Sequence, residues 1–344
     1  MSRHRKGLPA KIDLDFVVRF RERLLSWFDR AQRDLPWRRV GSPYAVAVSE
    51  LMLQQTQVGT VIPFFLRWME RFPSWTALAE APEAAVLKAW EGLGYYRRAR
   101  LLHALARRVV ELPGGELPSD PGALRELPGI GPYTAGAIAS IAFQVPAAAV
   151  DGNVQRVLAR VFAEGGDLAR PGPRGRVEGY AAALVRPGRA GDYTQALMEL
   201  GALICLPREP LCVVCPVREL CARPDPTRVP RKRRVQVTRE EETLAWIVEE
   251  GRVFLQVPGR GSRWPDFWKL PRWDDGAMSP GEGGEGPQLT YGITRFRVTA
   301  RLRRGWWKGP VPEGIEGVPL AGLGEIVMPT PHRRLMAGWA AGQT

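Results

Sequence analysis

From residue 13 to about 204, apolar positions recur three and four apart, the spacing of helices with one buried face. Asp13 stands before a run whose apolar stripe is Leu14, Val17, Leu24, Trp27 and Phe28, so a capped helix is expected there. Ser42 followed by Pro43 is a second start signal, a hydroxyl cap with proline at the first helical position, opening PYAVAVSELMLQQ. Further helices are read in VIPFFLRWMERF, PEAAVLKAWEG, RRARLLHALARRVV, PYTAGAIASIAF, NVQRVLARVFA and YTQALMELGALIC, with Gly and Pro punctuating most junctions. The stretch 224–240, PDPTRVPRKRRVQVTRE, is rich in Pro and Arg and reads as a linker. Beyond it the period shortens to two. LAWIVEE and RVFLQV flank Gly251 as a hairpin, TRFRVTARLRR alternates as a strand, and WDDGAMSPGEGGEGPQ (273–288) reads as a loop. The pattern therefore predicts an all-α part followed by a smaller α+β part, without solenoid repeats.

Charge and cysteine usage narrow the chemistry. A formal charge of +13 over 344 residues points to a polyanionic partner. No run of 18 apolar residues occurs and the first residues lack an apolar core, so neither a membrane span nor a secretory signal is expected. The expectation is a cytoplasmic, nucleoid-associated chain whose thiols stay reduced. His4, His103 and His332 are the only histidines and are too scattered for a histidine-based metal site or triad.

Four features carry candidate chemistry. LPGIGPYTAGAIAS (127–140) sets Gly129 and Gly131 before a helix start, where free N–H groups and the positive end of the helix dipole make an anion seat. A helix–turn–helix packed for structural reasons is the plain alternative. Cys205, Cys212, Cys215 and Cys221 are spaced C-x6-C-x2-C-x5-C, compatible with a [4Fe–4S] cluster or with a structural zinc, and spacing does not choose between them. Glu50 sits in AVAVSELML, apolar on nearly every side, where burial would raise its pKa and keep the proton a general acid needs. A Glu that reaches solvent, or a buried ion pair, is the competing reading. Asp151, in AAAVDGNVQRVLAR, suits a helix N-cap and could also hold negative charge beside a reacting centre. A protonated acid and an ionised one together are the pair that cleaves glycosidic bonds.

With these residues in view the chain resembles a known family. LPGIGPYTAG is similar to a helix–hairpin–helix, and VDGNVQRV with the four-cysteine loop resembles the endonuclease III superfamily of DNA glycosylases. LPWRR, SELMLQQTQV, GLGYYRRARLL and QALMELGALIC resemble its adenine DNA glycosylase, MutY-type branch, over roughly residues 14–223. The resemblance implies a mostly α fold: a helix–hairpin–helix glycosylase core, made of a six-helix domain plus an iron-sulfur helical domain, then an α+β Nudix-like C-terminal domain. The implied divisions are 1–35 (an N-terminal helix joining the cluster domain), 36–145 (six-helix domain), 146–223 (cluster domain), 224–240 (basic linker) and 241–344 (Nudix-like).

By the same resemblance, the chain is a monomer acting on double-stranded DNA and excising adenine mispaired with 8-oxoguanine or guanine after base flipping. Glu50 would be the acid that protonates adenine N7 and then helps deliver water, Asp151 the stabiliser of the sugar cation, and Tyr133 and Asn153 their supports. Arg38 and Gln195 would line the adenine pocket, Gln55, Thr56, Leu93 and Tyr95 would contact or wedge the duplex, and Gly129 and Gly131 would seat a phosphate. The four cysteines would bind a [4Fe–4S] cluster. Arg208, Arg218 and Arg223 on the cysteine loop read as phosphate contacts or as solvated surface charge. A bifunctional lyase would need a lysine where Tyr133 stands; a non-catalytic cluster protein would need neither Glu50 nor Asp151. In the C-terminal part FWKLP resembles a family stretch, and the Nudix hydrolase motif is absent from the sequence. Ile293-Thr294-Arg295 replaces the Phe-Ser-His with which the family senses the oxidised base, so Thr294 and Arg295 are the candidate lesion readers.

Overall fold

The computed structural model describes residues 12–222, 236–259 and 263–341. Most of the expected linker and Arg223 lie outside the described residues. The helices are α1 (Leu14–Ala31), α2 (Pro36–Val40), α3 (Pro43–Leu53), α4 (Val58–Arg71), α5 (Trp75–Glu80), α6 (Glu83–Ala89), α7 (Arg97–Val110), α8 (Pro121–Arg125), α9 (Pro132–Phe143), α10 (Gly152–Val161), α11 (Pro171–Leu184) and α12 (Ala190–Glu199). The strands β1 (Thr238–Trp246), β2 (Val248–Glu249), β3 (Arg252–Gln256), β4 (Met278–Ile293), β5 (Phe296–Trp307) and β6 (Ile315–Pro319) follow, and α13 (Thr330–Ala341) comes last. Contacts divide the chain into two units: residues 1–81 with 100–233, and residues 82–99 with 234–344.

In the first unit, local start signals agree with the observed boundaries. Asp13 accepts from the Phe16 N–H at 2.8 Å and caps α1, and Ser42 accepts from the Ala45 N–H at 3.1 Å and caps α3. Helices α2, α5, α8 and α11 were not read from the sequence, because short length or Gly and Pro residues conceal their period. Phe20, Leu24 and Phe28 of α1 are buried against Val157 and Leu158 of α10, Leu184 of α11 and Ala196 and Leu200 of the α12 region. Each large side chain buried in this way contributes about 1.5–3 kcal/mol. At Leu200 the α12 helix widens into a π turn over Leu200–Ile204 and stops before Cys205. Such π turns concentrate at functional sites.

The hairpin between α8 and α9 is closed by Gly129, whose φ of +76° is left-handed and whose added Cβ would meet Leu101 Cβ at 2.9 Å. Both facts require glycine there. Gly131 caps α9 with ordinary φ and would carry a Cβ into open space, so neither its own conformation nor packing within the chain demands glycine.

In the second unit β1 pairs parallel to β5 and β5 antiparallel to β4, while β2, β3 and β6 form an antiparallel sheet. The turn between β2 and β3 has Glu250 at φ 47° and Gly251 at φ 73°, the left-handed pair that a two-residue hairpin favours. Leu244, Val253, Leu255, Leu270, Ala300, Leu302 and Met328 form the core, closed by Leu335 of α13. One expectation is corrected: residues 278–288, read as loop, are the first part of β4. Pro280 and the glycines hide the alternation. An edge position tolerates them, and register shifts between Pro280, Glu285 and Gln288 absorb the misfit.

Candidate active site

Helix α3 is buried along nearly its whole length, and Glu50 lies among Val46, Ala47, Leu51 and Met52 with 6% of its surface exposed. Burial raises its pKa from the usual carboxylate range to about 7; the Tyr133 hydroxyl opposes this and the nearby Asp151 charge adds to it. Tyr133, in the first turn of α9, donates its O–H to Glu50 Oε2 at 2.6 Å. The same burial pushes the Tyr133 phenol well above its ordinary value, which keeps it a donor.

Asp151 begins α10. Its Oδ1 accepts from the Val154 N–H at 2.7 Å and its Oδ2 from Asn153 Nδ2 at 3.1 Å. Burial raises its pKa, while these hydrogen bonds and the charge of Arg156 hold it down. Asn153 is itself oriented: its Oδ1 accepts from Arg156 Nη2 at 2.9 Å, so its amide nitrogen faces Asp151. Arg156 also donates to the carbonyls of Gly201 at 2.6 Å and Cys205 at 2.8 Å. Gly201, in the π turn, lies so close to Asn153 that an added Cβ would meet Asn153 Cβ at 2.6 Å. The π turn thus supplies both the carbonyl that holds Arg156 and the space that Asn153 occupies.

These groups open on a cavity of about 530 Å³ whose wall includes Glu50, Tyr133, Asp151, Asn153, Arg38 and Gln195. Gln55 and Thr56 line it too, and Gln55 is exposed with φ 58°, a left-handed conformation for a non-glycine residue. Arg38 donates from Nε to Gln195 Oε1 at 2.9 Å and from Nη2 to Glu199 Oε1 at 2.6 Å. Arg33 adds a two-pronged contact to Glu199, whose side chain is only 2% exposed. Glu199, Arg33 and Arg156 were missed by sequence reading. Glu199 carried the same signal as Glu50, a lone carboxyl in the apolar run YTQALMELGALIC.

Four of the sequence candidates belong to the second unit. Leu93 is 6% exposed, whereas Tyr95 is 53% exposed at φ 50°. Thr294, at φ 52°, and Arg295 form the exposed two-residue turn between β4 and β5, with the Arg295 guanidinium 5.1 Å from the centre of the Phe296 ring.

Cys205, Cys212, Cys215 and Cys221 are half-buried, and none is in a disulfide. Burial pushes the Cys215 thiol up to about 11; a backbone hydrogen bond from Val217 opposes that, and charge on each of the other three cysteines adds to it. Among the described residues, no group of three or more His, Cys, Asp or Glu side chains is arranged to hold a metal ion. Donor chemistry nevertheless fits a thiolate-bound group. Arg160 is 1% exposed and donates to Cys205 Sγ at 3.1 Å and to the carbonyls of Leu206 and Pro207. Among the described residues its hydrogen-bond partners include no carboxylate, and thiolates would supply the counter-charge that a buried guanidinium needs.

Residues 48–172 match the family model described as HhH-GPD superfamily base excision DNA repair protein. The chain is 50% identical over 218 residues to an adenine DNA glycosylase of Mus musculus, covering 61% of this chain and 42% of that protein. Against the adenine DNA glycosylase of Homo sapiens it is 50% identical over 218 residues, covering 40% of the relative. It thus spans less than half the length of these two relatives. A solved thermostable thymine-DNA glycosylase superposes with a TM-score of 0.55 at 30% identity, over 60% of this chain and 96% of that one.

Proposed function

This chain belongs to the HhH-GPD superfamily of base excision DNA repair proteins, and from that premise we propose that it hydrolyses the N-glycosidic bond of adenine mispaired with 8-oxoguanine or guanine in double-stranded DNA. The observation that carries the reading is the convergence of Glu50, Tyr133 and Asp151 on one cavity, with the Glu50 pKa raised to about 7. Adenine is unreachable inside the stack, so it is flipped into the cavity. Glu50 gives its proton to adenine N7 as the bond from N9 to the sugar breaks, and the bonding pair leaves with the base. The sugar is left with cationic character, which Asp151 stabilises through its negative charge or a transient bond to C1′. Water then adds at C1′ and its proton passes to the Glu50 carboxylate, restoring the acid and leaving an abasic site. Arg38 and Gln195 orient the base. The open space before Gly131, at the start of α9, suits the close approach of a DNA phosphate.

Cys205, Cys212, Cys215 and Cys221 would hold a [4Fe–4S] cluster. When bound, it supplies iron–thiolate bonds that cross-link residues 205–221, and no catalytic step passes through it. Iron without zinc in anaerobically purified protein is the expected result; zinc without iron overturns the assignment. The C-terminal unit is read as a Nudix-like domain that checks the base opposite adenine, with Thr294 and Arg295 at its exposed β4–β5 turn. Arg295 is a fixed cation, so discrimination between 8-oxoguanine and guanine should narrow and depend on salt. If Arg295→Ala leaves the ratio of the two excision rates unchanged, this turn is not the reader.

The decisive experiment is a gel assay on a duplex with adenine opposite 8-oxoguanine. The expected product is an abasic site cleaved only after alkali. Strand cleavage without alkali would favour a lyase, which Tyr133 argues against because a phenol forms no Schiff base. Binding without base release would favour a non-catalytic protein.

A further inference from the structure

Residues 82–99 group with the C-terminal residues, and the contacts within that unit explain how. The Glu91 carboxylate, 9% exposed, accepts from Lys88 Nζ at 2.8 Å and from Arg333 Nε and Nη2. Arg333 lies in α13 and also donates to the carbonyls of Leu323 at 3.0 Å and Ile326 at 2.7 Å. Lys88 reaches the same Ile326 carbonyl at 3.3 Å. The Tyr96 ring is buried, with its centre 4.5 Å from that of Phe267.

Between these two anchors, Glu91 and Tyr96, the chain passes through Gly92 at φ 113°, Gly94 at φ 71° and Tyr95 at φ 50°. Left-handed backbone is unfavourable for a non-glycine residue and persists where its surroundings impose it. Here Trp90 Nε1 donates to the Gly94 carbonyl at 3.0 Å. Arg98, 7% exposed, donates from below to the carbonyls of Leu93 at 3.3 Å and Gly94 at 3.1 Å. Its guanidinium lies 5.3 Å from the Trp90 ring centre and 5.6 Å from that of Tyr95. The result is a clamped turn carrying an aromatic ring that is 53% exposed.

We propose that Arg333 is a positioning residue for Tyr95: through Glu91, helix α13 fixes the 91–96 turn and thereby the ring that enters the duplex. The inference rests on the reading of Tyr95 as a DNA-inserting residue, but the turn can be tested without DNA. In the full chain, Arg333→Met should reduce hydrogen-exchange protection of the Leu93 and Arg98 amides, which donate to the carbonyls of Trp90 and Tyr95, about tenfold, since removing local contacts lowers the free energy of local opening. Arg333→Lys should restore part of that protection. Glu91→Gln, nearly isosteric, should act like Arg333→Met and carries the test if that variant does not fold. Unchanged protection in Glu91→Gln and in a folded Arg333→Met overturns the proposal.

With a duplex containing adenine opposite 8-oxoguanine, Tyr95→Ala should weaken affinity about tenfold in the wild-type background and less than threefold with Arg333→Met, the non-additivity of coupled residues. Equal losses in both backgrounds overturn the coupling. If exchange rises as expected but Tyr95→Ala leaves DNA affinity untouched, the clamp stands and the reading of Tyr95 as an inserted ring fails.

Discussion

The interior of α3 and the first turn of α10 each bring one carboxyl to the same cavity, and they treat it in different ways. Glu50 is surrounded by apolar side chains and, among the described residues, has one hydrogen-bond donor, Tyr133, so desolvation dominates and its pKa stands near 7. Asp151 is also raised by burial, but it sits at a helix N-terminus and is held by the Val154 N–H, by Asn153 and by the charge of Arg156. Asp151 is both less deeply buried and held by more donors, and the two differences act in the same direction. One carboxyl is thereby suited to keeping a proton and the other to keeping a charge, the division that glycosidic cleavage needs.

The sharpest way to break this comparison is Glu50→Gln, which keeps shape and removes the proton. Single-turnover excision should fall about 1,000-fold, within the range for loss of a general acid. DNA affinity should change little, because the apolar surroundings of Glu50 are unaltered. A rate near that of wild type would remove Glu50 from the chemistry.

The same variant should be more stable than wild type at pH 8. With a carboxyl pKa of about 4.5 in the unfolded chain and about 7 in the folded one, the native state retains a proton that the unfolded state has released. Stability therefore falls as pH rises from the unfolded value, and the penalty is complete above the folded one. Gln has no such penalty, so its advantage should grow across that interval and level off at up to about 3 kcal/mol. Denaturant melts at pH 5 and pH 8 measure it. An advantage that shrinks as pH rises would contradict the raised pKa.

Asp151→Asn tests the other carboxyl. Excision should fall about 100-fold, since electrostatic stabilisation of a developing charge is worth that much or more. The cap should largely survive, because Asn also accepts from a backbone N–H. A large loss of stability with little loss of rate would make Asp151 a cap and nothing else.

Both carboxyls were legible in the sequence because local rules mark them: a lone Glu in an apolar helix and an Asp before a helix start. Gly129 was legible as a turn glycine for the same reason, and its φ there is left-handed. Arg156 was not legible, since on an amphipathic helix it reads as a solvated charge. Its role depends on Gly201 and Cys205, which are remote in sequence. The grouping of residues 82–99 with 234–344 was equally hidden, because the Glu91–Arg333 contact spans the chain. The strand in 278–288 was obscured by its glycines and Pro280, and its pairing partner β5 lies outside the segment.

The smallest expected effect sharpens the comparison most, because it concerns Tyr133, the donor to Glu50. Excision should decline above about pH 7 as Glu50 loses its proton. Tyr133 donates to the Glu50 carboxylate at 2.6 Å, which favours the charged form and holds the pKa below the value that burial alone would set. Tyr133→Phe removes that donor and keeps the ring. The Glu50 pKa should then rise, the acid form should persist to higher pH, and the alkaline limb of the single-turnover profile should move upward by about half to one pH unit, the equivalent of one ordinary hydrogen bond. The plateau rate should drop severalfold, because Glu50 is no longer held at one angle to the base. A limb that moves downward, or stays in place while the plateau drops, would assign the titration to another group and leave Tyr133 as packing for the pocket wall.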